Sequence, residues 1–214
     1  MTAGWPRLTA RPGNAAAVAT AAIPVRISPR RCRVHGRAAR DAALVSRGVV
    51  MSAIQQEVVR LVLAQRWAAL ATLHDQAPSA AMVAYAVEPG LGSLLLFLSQ
   101  LSAHTRDLLA DPRCALAISA PDTGESDPQL LPRVTLHGTA LAVPRDAEDF
   151  ALAGAFYVRR FPDALPRFEL GDFHLFRVVV DSARYVGGFA RAASFSGDQL
   201  RETARALDSR PDAS

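Results

Sequence analysis

The sequence predicts a mainly β fold of the α+β kind, an antiparallel barrel with helices at its periphery. Three observations predict it. Runs with strand character recur about seven times between turn signals. Three or four segments with helical spacing lie among them. Half of the 214 residues are apolar, enough for one well-packed domain and not comfortably enough for two. The longest apolar run, Leu94-Leu95-Leu96-Phe97-Leu98, has the length of one buried strand and falls far short of the ~18 residues of a membrane span.

The elements follow in order. Ser52 is placed as an N-cap with Glu57 in the first turns, and Ile54, Val58, Leu61 and Val62 share one helical face through about Arg66. The period then changes: Trp67–Leu73 reads as a buried strand, His74–Pro78 as a turn, and Ala80–Val87 as the hairpin partner. Glu88–Gly92 is a second turn and Ser93–Ser99 a third strand. A helix over Ser102–Ala110 stops at Asp111-Pro112, because the residue before a proline is pushed out of the helical region. Arg113–Ala120 is a strand, Pro121–Pro132 a loop without period, and Arg133–Val143 a long strand. Asp146–Phe161 reads as a helix with Phe150, Ala153 and Tyr157 near one face, ended by Pro162–Pro166. Phe173–Val180 and Arg184–Phe189 read as two closing strands, and Asp198–Leu207 as a terminal helix.

Charge divides the chain unevenly. Residues 1–50 hold nine arginines and one acid, whereas residues 51–214 hold fifteen arginines and nineteen acids. The body therefore lacks the diffuse basic surface that sequence-independent phosphate binding requires, which argues against nucleic acid. The first fifty residues, rich in Ala, Arg, Pro and Gly without a period, are expected to be disordered and to stand outside the fold. They suit an organelle transit peptide, a secretory signal stopped by Pro24, or a leader ahead of a true start at Met51, and the helix opening after Met51 favours the last. The folded body is then 51–195, with a short helix and tail over 196–214. There is no lysine, so neither a Schiff base nor a lysine–phosphate contact can form. Cys32 and Cys114 lie far apart with no CxxC spacing, which fits a reducing, cytoplasmic location.

No GxSxG elbow, P-loop, HExxH or GxGxxG is present. The histidines His35, His74, His104, His137 and His174 show no metal-ligand spacing, so no metal site is expected. The segment richest in chemistry is Leu98-Ser99-Gln100-Leu101-Ser102-Ala103-His104-Thr105-Arg106-Asp107-Leu108-Leu109. It is a strand end, a polar turn and a helix start, where free N–H groups, hydroxyls and Arg106 together suit an anion. The same residues also suit a plain capped helix with Arg106 on its solvated face.

This strand–turn–helix, followed by Leu109-Ala110-Asp111-Pro112-Arg113, resembles the pyridoxamine 5′-phosphate oxidase-related split β-barrels of the FMN-binding type. In that superfamily the turn grips the flavin phosphate. Pro132-Arg133-Val134-Thr135-Leu136-His137-Gly138-Thr139-Ala140 resembles its flavin-contacting strand, whose glycine lets the ring approach. Tyr185-Val186-Gly187-Gly188-Phe189-Ala190-Arg191 resembles its closing strand, whose arginine faces the ligand. The likeness runs from about Gln55 to Phe195. Two departures stand out: Ala81 and His104 occupy the places where the oxidases carry an arginine and a lysine, so the resemblance implies a weaker hold on the phosphate. Ala81-Met82-Val83-Ala84-Tyr85 and Gly187-Gly188-Phe189-Ala190-Arg191-Ala192 look closer to the HugZ-type and CREG-type sub-branch. HugZ-type barrels bind haem with a C-terminal histidine, and this chain has none after His174.

The resemblance implies first a homodimeric FMN-binding protein, a flavin-dependent oxidoreductase of unknown substrate. Ser99, His104, Thr105 and Arg106 would hold the phosphate, with Arg133 near the ring and Arg191 facing the ligand. Haem binding on the same barrel is the alternative, with His104, His137 or His174 as axial ligand. A cofactor-free barrel acting as an interaction module is the third. Lacking basic residues beyond Arg191 on the closing segment, the chain is not expected to oxidise pyridoxamine phosphate itself.

Overall fold

The computed structural model describes residues 53–188 and 191–209. The leader, the Ser52 cap, Cys32 and His35 lie outside them, as do Phe189 and Ala190. The elements are α1 (53–64), β1 (Trp67–His74), β2 (Ala77–Ala84), β3 (Ala86–Val87), β4 (Leu94–Ser99), α2 (Ala103–Ala110) and β5 (Arg113–Ser119). They continue with β6 (Arg133–Val143), α3 (Phe150–Arg160), β7 (Phe173–Val186), β8 (Ala192–Ser196) and α4 (Gly197–Asp208). All strand pairs are antiparallel, in the order β2-β1-β5-β6-β7-β4-β3, with β8 added to β7. The two edges of this order, β2 and β3, are neighbours in sequence with only Tyr85 between them. The sheet must therefore curl until its edges meet, and the seam falls at Tyr85.

That seam is where α1 is fastened. A helix leaves its last carbonyls without intrahelical partners, and here each finds one. Gln65 N–H donates to the Leu61 carbonyl, the Tyr85 hydroxyl donates to that of Val62 (2.8 Å), and Arg160 Nη2 donates to those of Leu63 and Ala64. Tyr85 N–H also donates to the Arg66 carbonyl, and its side chain is fully buried. Burial pushes the Tyr85 phenol well above its ordinary value, so it stays a donor.

The run Leu94–Leu98 is buried on both faces, which explains its unbroken apolar character. Leu94, Leu96 and Leu98 face the barrel interior with Leu70, Leu116, Leu136 and Phe176. Leu95 and Phe97 face outward into a second core with Ala153 and Tyr157 of α3. Cys114 is buried in the first core, and its thiol is pushed up to about 12 by burial, which keeps it an unreactive apolar filler. No helix among the described residues is long and apolar enough to cross a membrane.

Five expectations need correction. Pairing in the first hairpin begins at Ala77, because Asp75 and Gln76, both with positive φ, make a two-residue turn; Pro78 is tolerated since β2 is an edge strand. The helix read from Asp146 begins only at Phe150. Phe173–Val186 is one 14-residue strand: Asp181 and Ser182 look like a turn but lie in extended backbone beside a bulge at His137/Gly138. The aromatic–Gly–Gly segment is the turn into β8, with Gly187 N–H donating to the Arg191 carbonyl and Arg191 N–H to that of Gly188. Gly138, for its part, serves the bulge. A side chain there would collide with the Val179 carbonyl oxygen, so its missing Cβ admits backbone and no ligand ring.

Candidate functional site

The outward face of β2, β1, β5, β6 and β7 is built from small side chains in register. Met82, Ala69, Ala117, Thr135 and Arg184 form one cross-strand row, and Ala80, Ala71, Ala115, His137 and Ser182 the next. The alanines leave the sheet surface low, and taller groups stand round it. The result is a groove of about 580 Å³ at the end of the face nearest the β1 start. Its walls are mostly apolar, including Trp67, Met82, Ile118, Val134 and Val186, with Gln65, Ser119, Arg133, Thr135 and Arg184 as polar members. Trp67 is 56 % and Met82 50 % exposed, unusually high for such large apolar groups. Because side chains alternate along a strand, His137 is the next outward residue after Thr135, ~6–7 Å further along β6, and it is exposed.

The six residues expected to hold a cofactor fall into two groups. Ser99, His104, Thr105 and Arg106 gather at the β4–α2 turn. Arg133 and Arg191 lie near the opposite end of β7: Ser99 pairs with Phe173 and Arg133 with Val186, separated by ~40 Å of strand within one chain. Most are already engaged. The Ser99 hydroxyl donates to Asp172 Oδ2 (3.0 Å), and Arg106 Nη1 donates to the Leu101 carbonyl (2.8 Å). Thr105 is fully buried, and its hydroxyl has no partner among the described residues. Burial lowers the His104 imidazole, against a smaller opposing effect of Asp107. Arg133 donates to the Gln129 carbonyl (2.9 Å) and lines the groove. Arg191 pairs with Glu57 Oε2 (2.7 Å), while the Tyr185 hydroxyl donates to Glu57 Oε1 (2.5 Å), so this arginine fastens the β7–β8 turn to α1.

One polar cluster escaped the sequence. Thr72 and His74 share a face of β1, and both reach the buried carboxylate of Asp107 on α2. Thr72 Oγ1 donates at 2.9 Å, and His74 Nδ1 lies 2.7 Å from Oδ1. Among the described residues no three His, Cys, Asp or Glu side chains come together as a metal site.

A family model described as "CREG, beta-barrel" matches residues 56–200, about two thirds of the sequence. The chain belongs to the CREG β-barrel family. Its fold is the antiparallel split barrel with peripheral helices that the sequence predicts. Among relatives of this CREG-family chain, the chloroplastic heme oxygenase HOZ of Arabidopsis thaliana is 36 % identical over 125 residues, 58 % of this chain and 36 % of that protein. The heme oxygenase HutZ of Vibrio cholerae is 28 % identical over 106 residues, 49 % of this chain and 60 % of that protein. The structure of a heme binding protein from Mycobacterium smegmatis superposes with a TM-score of 0.63 at 31 % identity, over 69 % of this chain and 60 % of that one. The match thus spans from about a third to three fifths of each relative's own length.

Proposed function

We propose that the chain binds haem in the outer-face groove and acts on it as a substrate. The observation that carries this is the make-up of the groove: apolar walls, arginines at the rim and an exposed histidine on the adjoining row. Haem is a flat apolar macrocycle with two carboxylates and an iron that accepts an imidazole nitrogen. Trp67, Met82 and the alanine floor suit the macrocycle, Arg133 and Arg184 the carboxylates, and His137 the iron. The relatives bearing the name heme support the same ligand, and they favour this alternative over the flavin oxidoreductase. Turnover of haem rests on the two heme oxygenases and binding on the groove as well.

The residues present fit haem better than FMN. The turn expected to receive a phosphate holds the Asp172 carboxylate on Ser99, so an anion there would meet a like charge. Arg106, the cation of that turn, is turned onto backbone carbonyls. When bound, haem would supply a redox-active iron; the chain would supply the hydrophobic bed, the carboxylate partners and the His137 imidazole. We place a second copy of the chain over the alanine face, where it would cover Trp67 and Met82 and keep water from the groove.

Filling the groove tests the placement. Ala117 is exposed on the groove floor, so Ala117→Trp leaves the core intact. Haemin titration followed by visible absorption is expected to show at least tenfold weaker binding in that variant. Unchanged affinity would move the ligand off this face.

A further inference from the structure

A second groove lies where α3 meets the 3-10 segment Pro162–Glu169; its lining shares no residue with the haem groove, and no part of the haem reading uses it. It measures about 520 Å³ and is lined by Phe150, Ala151, Ala155, Val158, Leu165 and Phe168, with Arg159 at its end. Its floor is preformed. The Phe168 ring stacks on Phe97 at 3.9 Å and meets Phe150 edge-on at 6.3 Å, and Phe97 is buried in the second core. Gly154 keeps the groove deep, because a side chain there would press on Phe168 at 3.0 Å. Leu165 on its wall is 60 % exposed.

Arg159 differs from its neighbours. Arg160 donates to the α1 carbonyls, and Arg145 to those of Phe168, Leu170 and Phe173. Among the described residues Arg159 has neither a hydrogen-bond acceptor nor a carboxylate within salt-bridge reach. Its guanidinium lies over the Phe156 ring at 5.2 Å, which holds it in place without neutralising it. It also lines a further pocket of about 320 Å³ with Arg160, Leu63 and Phe156, so cationic charge continues past the end of the apolar groove.

We propose that this groove binds an apolar molecule carrying a single carboxylate, its body along α3 and its carboxylate at Arg159. The apolar lining provides the driving force, which grows with each methylene buried. Arg159 selects the anion, since a charge-assisted contact beside apolar walls is stronger than one in open water. A neutral amphiphile would gain the first contribution and lose the second.

The probe is laurate below its micelle concentration, titrated into the full chain and followed by calorimetry and by NMR shifts of backbone amides. The expected result is saturable one-to-one binding with shifts concentrated over residues 150–168. Arg159→Ala should weaken it about tenfold, and dodecanol should bind about tenfold more weakly than laurate. Ala155→Trp, at an exposed position in the groove, should abolish laurate binding while leaving haemin uptake as in the parent chain, which separates this site from the haem groove. Non-saturable binding, or equal affinity for laurate and dodecanol, would overturn the proposal. A dimer that Ala155→Trp dissociates, with no laurate bound by the parent chain, would overturn it too and assign the face to self-association.

Discussion

His74 Nδ1 lies 2.7 Å from Asp107 Oδ1, and this contact fastens the tip of the β1–β2 hairpin to α2. Its strength depends on pH in a definite direction. The hydrogen bond and charge of Asp107 hold the His74 imidazole above its ordinary 6.5, so its contribution is complete below that value and fades as pH rises through the raised one. Burial works to raise the Asp107 carboxyl, but the bonds from His74 and Thr72 and the nearby charges of His74 and Arg106 outweigh it and hold the group below 3.8. Its contribution is therefore present above 3.8 and is lost as pH falls through the lowered value. The cost of Asp107→Asn, measured by thermal unfolding, should be largest near pH 5 and should shrink toward pH 8.5. A difference constant across that range would show that the ion pair contributes nothing.

Tyr85→Phe removes one hydroxyl at the seam. The Val62 carbonyl loses its donor in a buried place, and the expected cost is about 1–3 kcal/mol. Denaturant titration should show a lower midpoint with an unchanged slope, because the barrel still closes on the same core.

Gly138→Ala tests the bulge. The added methyl group meets the Val179 carbonyl, and relief requires backbone movement in β6 or β7, the strands that carry Thr135, His137 and Arg184. A loss of about 1–3 kcal/mol is expected. Haemin affinity should fall as well, since His137 adjoins the bulge.

Arg133 and Arg184 are assigned to the haem carboxylates. Replacing both with alanine is expected to weaken haemin binding by at least tenfold and to flatten its dependence on salt. An unchanged salt dependence would place the carboxylates elsewhere.

Strands with a continuous pattern, alternating or wholly apolar, are legible in the sequence. The reading of Arg133–Val143 has the right bounds because its apolar alternation is regular, and the unbroken Leu94–Leu98 run reads as a buried strand, which the structure buries on both sides. The long β7 was divided because Asp181-Ser182 carries turn chemistry, and only the partner strand reveals that the bulge absorbs the irregularity. The strand β8 was missed, since Ala192-Ala193-Ser194 has weak strand character and pairs only because Tyr185 and Arg184 lie opposite. The groove was illegible for a different reason. Its floor is made by alanines that are absent volume, brought into line from β1 and β5, and no local pattern announces a cross-strand row. The Thr72–His74–Asp107 cluster is likewise non-local, since His74 and Asp107 stand 33 positions apart.

The most direct measurement is a haemin titration of the full chain beside its His137→Ala variant, read in the Soret region, with FMN titrated in parallel. Saturable one-to-one haemin uptake whose spectrum changes in the variant, with FMN bound far more weakly, is the expected result. FMN taken up in preference to haemin, or a haem spectrum indifferent to His137, would contradict haem binding through this face.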